Sequence, residues 1–65
     1  MITFTKKILM NKEAKPPEYY VEGSCLHGDE KPTSGIFNGS FLTEIDTGKL
    51  FFFDAENTTW REWGA

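Results

Sequence analysis

Apolar and polar positions alternate along most of this chain with a period of two, and short Asp/Asn/Gly breaks interrupt the alternation. The clearest stretch runs from Asn38 to Trp63, NGSFLTEIDTGKLFFFDAENTTWREW. Two apolar runs there flank Asp46-Thr47-Gly48-Lys49, and a second polar break, Asp54 to Thr58, leads into a third run that ends at Trp63. Strand-forming runs separated by such breaks fold back on themselves, so the pattern predicts a three-stranded meander over residues 38–63.

Upstream, Met1 to Asn11 places Ile2, Phe4, Ile8 and Met10 on one face, with Lys6 the exception. A helix over Lys6 to Ala14 competes, because Lys, Leu, Met, Glu and Ala are good helix formers; the period of two favours the strand. Pro16-Pro17 makes the following segment a loop or an edge, since proline donates no N–H and restricts the residue before it. Tyr19 to Leu26 resumes a strand-like run, in which Gly23 weakens the strand or marks a bulge. The first two runs form a predicted hairpin over residues 1–26. Residues 27–37 are a turn-rich connector whose apolar anchor is Ile36 and Phe37. The whole predicts one all-β domain, a small antiparallel sheet or open barrel built from an N-terminal hairpin and a C-terminal meander.

Turn chemistry fixes the joints. Asn38-Gly39 supplies two residues tolerant of positive φ, where the chain reverses into the meander. Asp46-Thr47-Gly48 fits a three-residue hairpin loop with Gly48 left-handed and the Asp46 side chain capping N–H groups of the turn. A β-branched residue at Gly48 is expected to cost about 1–2 kcal/mol.

Size changes the picture. The chain has 65 residues, and a domain this small buries only about 60% of the surface its unfolded chain exposes. Ordering costs about 1.5 kcal/mol per residue, which nearly cancels the hydrophobic gain of so small a core. The single cysteine, Cys25, excludes an internal disulfide. A partner surface is then the economical remedy, and self-association provides one. Aromatic residues make up 15% of the chain against a mean hydropathy of −0.46, so it has the means to fold.

Leu50 to Phe53 is apolar on both sides of the pleat, which belongs in a strand covered on both faces. A chain this short has little with which to supply the second cover. Phe51 and Phe53, or else Leu50 and Phe52, are therefore expected to meet another protein chain. Trp60 and Trp63 lie on opposite faces of a regular last strand and repeat the message. Phe51, Phe53, Trp60 and Trp63 are the candidate interface residues, because aromatic side chains dominate interface hot spots.

Charge and targeting signals narrow the partners. A net charge of −3 and a pI near 4.9 argue against nucleic acid, which demands clustered Lys/Arg. The only basic cluster, Lys6, Lys7, Lys12 and Lys15, is short and diluted by Glu13. Lys6 and Lys7 interrupt the apolar core of any signal peptide, and no run approaches the roughly eighteen apolar residues of a membrane span. The expectation is synthesis in the cytoplasm, with no membrane partner.

Candidate chemistry is thin. Cys25, His27 and Asp29 are metal-ligand types at strand spacing, but no second Cys or His completes a site, and a buried thiol beside a solvated loop is the simpler reading. A Cys–His nucleophile pair lacks an enclosed pocket. Asp46, Asp54 and Glu56 read as turn caps, since the helix-flanked calcium loop is absent. Tyr19, Tyr20, Trp60 and Trp63 could stack on sugars, yet core or subunit-interface roles account for them better. Thr47-Gly48-Lys49 is a hairpin turn and no phosphate cradle, because the preceding glycine loop and following helix are missing. No catalytic residue, cofactor or metal is implied.

Gly28-Asp29-Glu30-Lys31-Pro32-Thr33, Asn38-Gly39-Ser40, Glu44-Ile45-Asp46-Thr47-Gly48-Lys49, Phe52-Phe53-Asp54 and Thr59-Trp60 together form a pattern covering about the C-terminal two-thirds of the chain. In it the chain resembles small virion structural proteins of tailed phages and prophages. The resemblance implies a structural role, as a minor capsid, decoration or head-fibre-type component or a related tail part. Its implied partners are copies of itself and capsid or tail subunits. It also implies synthesis in a bacterial host and assembly into the particle. The N-terminal strand, Pro16-Pro17 and Cys25 lie outside the pattern.

Overall fold

The computed structural model describes residues 1–63. It is all-β: β1 (Thr3–Asn11), β2 (Glu18–Cys25), β3 (Phe41–Glu44), β4 (Lys49–Asp54) and β5 (Thr59–Glu62) form one open sheet in the order β1-β2-β3-β4-β5. The expected hairpin and meander are both present. Pairing is antiparallel at β1–β2, β3–β4 and β4–β5. The expected antiparallel order fails at one junction, because β2 and β3 run parallel, with Glu22 beside Phe41 and Cys25 beside Glu44. The reason is the length of residues 26–40: antiparallel neighbours need only a tight turn, whereas a parallel crossover takes about a dozen residues or more.

That crossover returns from the end of β2 to its beginning, and it does so over one face of the sheet. Its far end is stitched to β2 by backbone bonds, the Tyr19 N–H donating to the Gly35 carbonyl at 3.0 Å and the Phe37 N–H to the Tyr19 carbonyl at 2.8 Å. Fully buried Ser40 completes the seam: its hydroxyl accepts from the Val21 N–H at 3.0 Å and donates to the Phe37 carbonyl at 2.8 Å. Val21, Ile36 and Phe53 form the core beneath the connector, with Tyr19, Ala55 and Trp60 packed against them. Leu42 and Cys25 are fully buried on the same side.

The first strand departs from simple alternation. Register shifts between Phe4 and Lys6 and between Leu9 and Asn11 insert bulges at Thr5 and Met10. Phe4 pairs with Gly23, Lys7 with Val21 and Ile8 with Tyr20. Phe4 and Ile8 therefore face opposite sides, where unbroken alternation would have put them together. Gly23 allows the first bulge, since a side chain there would collide with the Thr3 carbonyl. All nine residues of β1 are solvent-exposed.

The two meander hairpins share one loop design. Four residues, Ile45 to Gly48, separate the paired Glu44 and Lys49. The loop is one residue longer than expected, because Ile45 leaves the ladder. Ala55 to Thr58 separates Asp54 and Thr59 in the same way. The last loop residue is left-handed in both, Gly48 at φ 75° and Thr58 at φ 51°. Gly39 is also left-handed, at φ 88°, while Asn38 accepts the Ala55 N–H through its side chain at 2.9 Å.

The matched loops make a controlled comparison. Thr58→Gly is expected to raise stability by about 1 kcal/mol by relieving a β-branched residue in left-handed backbone, and Gly48→Val to lower it by about 1–2 kcal/mol. Thermal melts resolve both, since 1 kcal/mol is about 4–8 °C in a domain of this size. Gly23→Ala is expected to cost about 1–3 kcal/mol by forcing β1 off β2, and denaturant titration measures it.

Candidate functional site

The register divides the sheet's side chains between two faces. One face carries Val21, Cys25, Leu42, Glu44, Phe51, Phe53 and Trp60 beneath the connector. The other carries Tyr20, Glu22, Phe41, Leu50, Phe52 and Arg61, with Trp63 just past β5. We refer to these as the covered and open faces.

On the covered face a buried carboxylate fastens the connector. Glu44 is 1% exposed, and its two oxygens are fully engaged. Oε2 accepts from the Lys31 ammonium at 2.7 Å. Oε1 accepts from the Thr47 hydroxyl at 2.7 Å and lies 3.2 Å from His27 Nδ1. The Lys31 hydrogen bond, helped by Thr47 and His27, outweighs desolvation and holds the Glu44 carboxyl at about 2 against an ordinary 4.5. Lys31 also lies 4.3 Å over the Phe51 ring, so one ammonium serves a carboxylate and an aromatic face together. Asp46 caps the start of the connector, accepting from the His27 N–H at 3.0 Å. This differs from the expected role in its own turn, which Thr47 fills by accepting from the Lys49 N–H at 3.3 Å.

Cys25, His27 and Asp29 do not converge. Cys25 is fully buried, and desolvation raises its thiol above the ordinary range, which disfavours the thiolate a nucleophile needs. His27 turns to Glu44, and Asp29 accepts from the Leu26 N–H at 2.8 Å and the Met1 amine at 2.7 Å.

The four candidate interface residues separate as well. Phe53 is 4% exposed and packs at a tilt against Trp60, ring centroids 5.1 Å apart. Trp60 donates its indole N–H to the Pro32 carbonyl at 2.8 Å. Phe51 lies under Lys31. These three belong to the covered face and hold the connector down. Trp63 alone is on the open face, 67% exposed. Its ring packs tilted against Phe52 with centroids 5.5 Å apart, and Phe52 against Phe41 at 5.8 Å, giving a continuous aromatic row across β3, β4 and the end of β5.

Phe41 and Phe52, outside the four candidates, share the open face with Trp63, whereas Phe51 and Phe53 lie on the covered face. Alternation alone offered Leu50 and Phe52 as the second possibility, and only the path of the connector decides between them. Polar groups frame the row. Glu22 stands beside Phe41 and Arg61 beside Phe52 in register. Arg61 is anchored through Nε to Asp54 at 2.7 Å. Bonds from Asn57, and then Arg61, hold the Asp54 carboxyl at about 2.

A groove of about 430 Å³ lies between the hairpin and the connector, lined by Phe4, Lys7, Pro16, Tyr19, Pro32 and Ile36 among others. Lys7 sits 4.7 Å over the Tyr19 ring at its edge. Among the described residues no cluster of His, Cys, Asp and Glu is placed to hold a metal ion, and no helix is long and apolar enough to cross a membrane. Comparison of the chain with protein-family models, with curated proteins and with solved structures finds no match.

The carboxylates give the fold an acid limit. Glu44 and Asp54 each have a folded pKa below the ordinary value, 4.5 and 3.8 falling to about 2. Their contribution is full above the ordinary values and is lost as pH falls from about 4.5 toward 2. Unfolding in that window, followed by near-ultraviolet circular dichroism, is the expected result. Lys31→Met should move its midpoint to higher pH, because Glu44 then loses the ammonium that does most to offset its burial.

Proposed function

We propose that this chain is a non-enzymatic structural component of a tailed-phage particle, a minor capsid, decoration or tail-associated protein. It docks through the open aromatic face onto capsid or tail subunits or onto copies of itself. The observation that carries the docking role is the row Phe41–Phe52–Trp63, three aromatic rings on a face that no other segment among the described residues covers. Contiguous apolar surface rimmed by charge marks an interaction site in a folded domain. The phage assignment is supported by the sequence pattern, whose segments from Asn38 to Trp60 build β3, β4 and β5 and their turns, the half of the sheet bearing that row. The role needs no cofactor, metal, nucleic acid or membrane. The protein would be made in the host cytoplasm and built into the virion.

A second reading, a soluble module that binds a host protein or a glycan, is favoured by the proline- and tyrosine-lined groove, whose volume falls in the range of small-ligand sites.

Co-sedimentation with assembled particles tests the first reading. Wild-type protein is expected to sediment in stoichiometric copy number, and Trp63→Ala to weaken association by about 2 kcal/mol or more. A chain that stays in the supernatant, yet binds a sugar or host protein in a Tyr19-dependent way, would select the second.

A further inference from the structure

We infer that the open face is occupied by the same face of a second copy, in one particular register: a two-fold axis runs parallel to the strands between β3 and β4. The inference rests on the docking-face reading and names its partner. Across the open face, register places Lys6, Glu22, Phe41, Phe52 and Arg61 in one row, from β1 to β5. Its charge pattern is therefore plus, minus, aromatic, aromatic, plus.

Turning one sheet over onto another about the stated axis lays β3 on the partner's β4 and β2 on the partner's β5. Phe41 then opposes the partner's Phe52 and, by symmetry, Phe52 the partner's Phe41. Glu22 meets the partner's Arg61 twice over. The adjacent row runs Ser24, Thr43, Leu50 and then Trp63, whose N–H donates to the Leu50 carbonyl at 2.7 Å. In the same arrangement it brings the large Trp63 ring over the small Ser24 of the partner.

The alternative two-fold, perpendicular to the strands, places each strand over its own copy. It sets Glu22 against Glu22 and Arg61 against Arg61. Like charges facing each other are unfavourable, so charge selects the first axis.

The side chains are prepared for this contact. Arg61 is held through Nε by Asp54, which leaves its terminal nitrogens without a partner among the described residues. Glu22 accepts from the Tyr20 hydroxyl at Oε2, at 2.7 Å, and Oε1 has no partner there. Sheets packed face to face lie about 10 Å apart and cross at about 30°, a separation and offset that Glu and Arg side chains can span. Only β2 to β5 overlap, and β1 overhangs on each side, so the buried area is at the low end for specific complexes. Association is accordingly weak and reversible.

The test pairs two charge reversals. Glu22→Arg alone sets Arg against Arg61 at both contacts, and Arg61→Glu alone sets Glu against Glu22 at both. A mixture of the two restores opposite charge at both contacts of a heterodimer. Sedimentation equilibrium of the wild-type chain is expected to give a dimer at high micromolar concentration that dissociates on dilution. Each single variant should weaken it by about tenfold or more, and the equimolar mixture should recover the wild-type range. Far-ultraviolet circular dichroism checks that the variants are folded.

A wild-type dimer whose variants are not rescued by mixing overturns the register. A wild-type monomer at every concentration removes the second copy as partner, and if its co-sedimentation with particles still depends on Trp63 the docking-face reading stands without it. A dimer indifferent to residues 22 and 61 overturns the open face as its contact, and the docking-face reading is then decided separately by whether co-sedimentation depends on Trp63.

Discussion

The contact between Lys31 and Glu44 is what turns a single sheet into a two-layer domain. The connector that covers the sheet has few apolar side chains to press into a core, with Ile36 its one buried hydrophobic residue. It is held chiefly by polar groups: Lys31 on Glu44, the Pro32 carbonyl on the Trp60 indole, and the His27 N–H on Asp46. A carboxylate as buried as Glu44 is tolerable only with a cation against it, so the sheet has a strong reason to keep the connector in place. Among the described residues no buried side-chain polar atom lacks a partner. Polar satisfaction does here what apolar area would do in a larger protein.

This arrangement has one connector and two apolar faces. Covering the side of Phe51 and Phe53 exhausts what residues 26–40 can reach, and the side of Phe52 is left to solvent or to another molecule. The imbalance of a small domain thus acquires a location. Of the continuous run Leu50 to Phe53, alternate residues serve opposite purposes, one pair supporting the cover and the other lying on the open face. Trp60 and Trp63 divide in the same way, the first pinned to Pro32 and the second packed against Phe52.

Much of the fold was legible in the chain. Each of the five strands follows its apolar run, and Gly39 and Gly48 have the backbone conformations their turns demand. What the residues did not disclose depends on non-local geometry. The parallel β2–β3 junction was signalled only by the length of the segment between the strands. The displaced alternation of β1 follows from bulges at Thr5 and Met10; Gly23 on the neighbouring strand signals the first, and nothing local signals the second. Asp46 looked like a cap for its own turn because the neighbour that takes its oxygen, the His27 N–H, is distant in sequence. For the candidate surface, period two separated the two sets of rings correctly, but which set lies beneath the connector depends on a path that alternation does not give.

The bulges of β1 have a wider meaning. This strand is the long free margin of the sheet, exposed over all nine residues and carrying Phe4, Ile8, Leu9 and Met10 at the surface. An unguarded margin of that kind invites further strands to add on and the sheet to spread sideways. Here two kinks break the flatness of the ladder, and the ammonium groups of Lys6 and Lys7, one on each face of the sheet, repel a second β1 laid alongside. The opposite margin, β5, is only four residues long. With both margins blunted in this way, sideways extension of the ladder by a further strand is disfavoured at either end of the sheet.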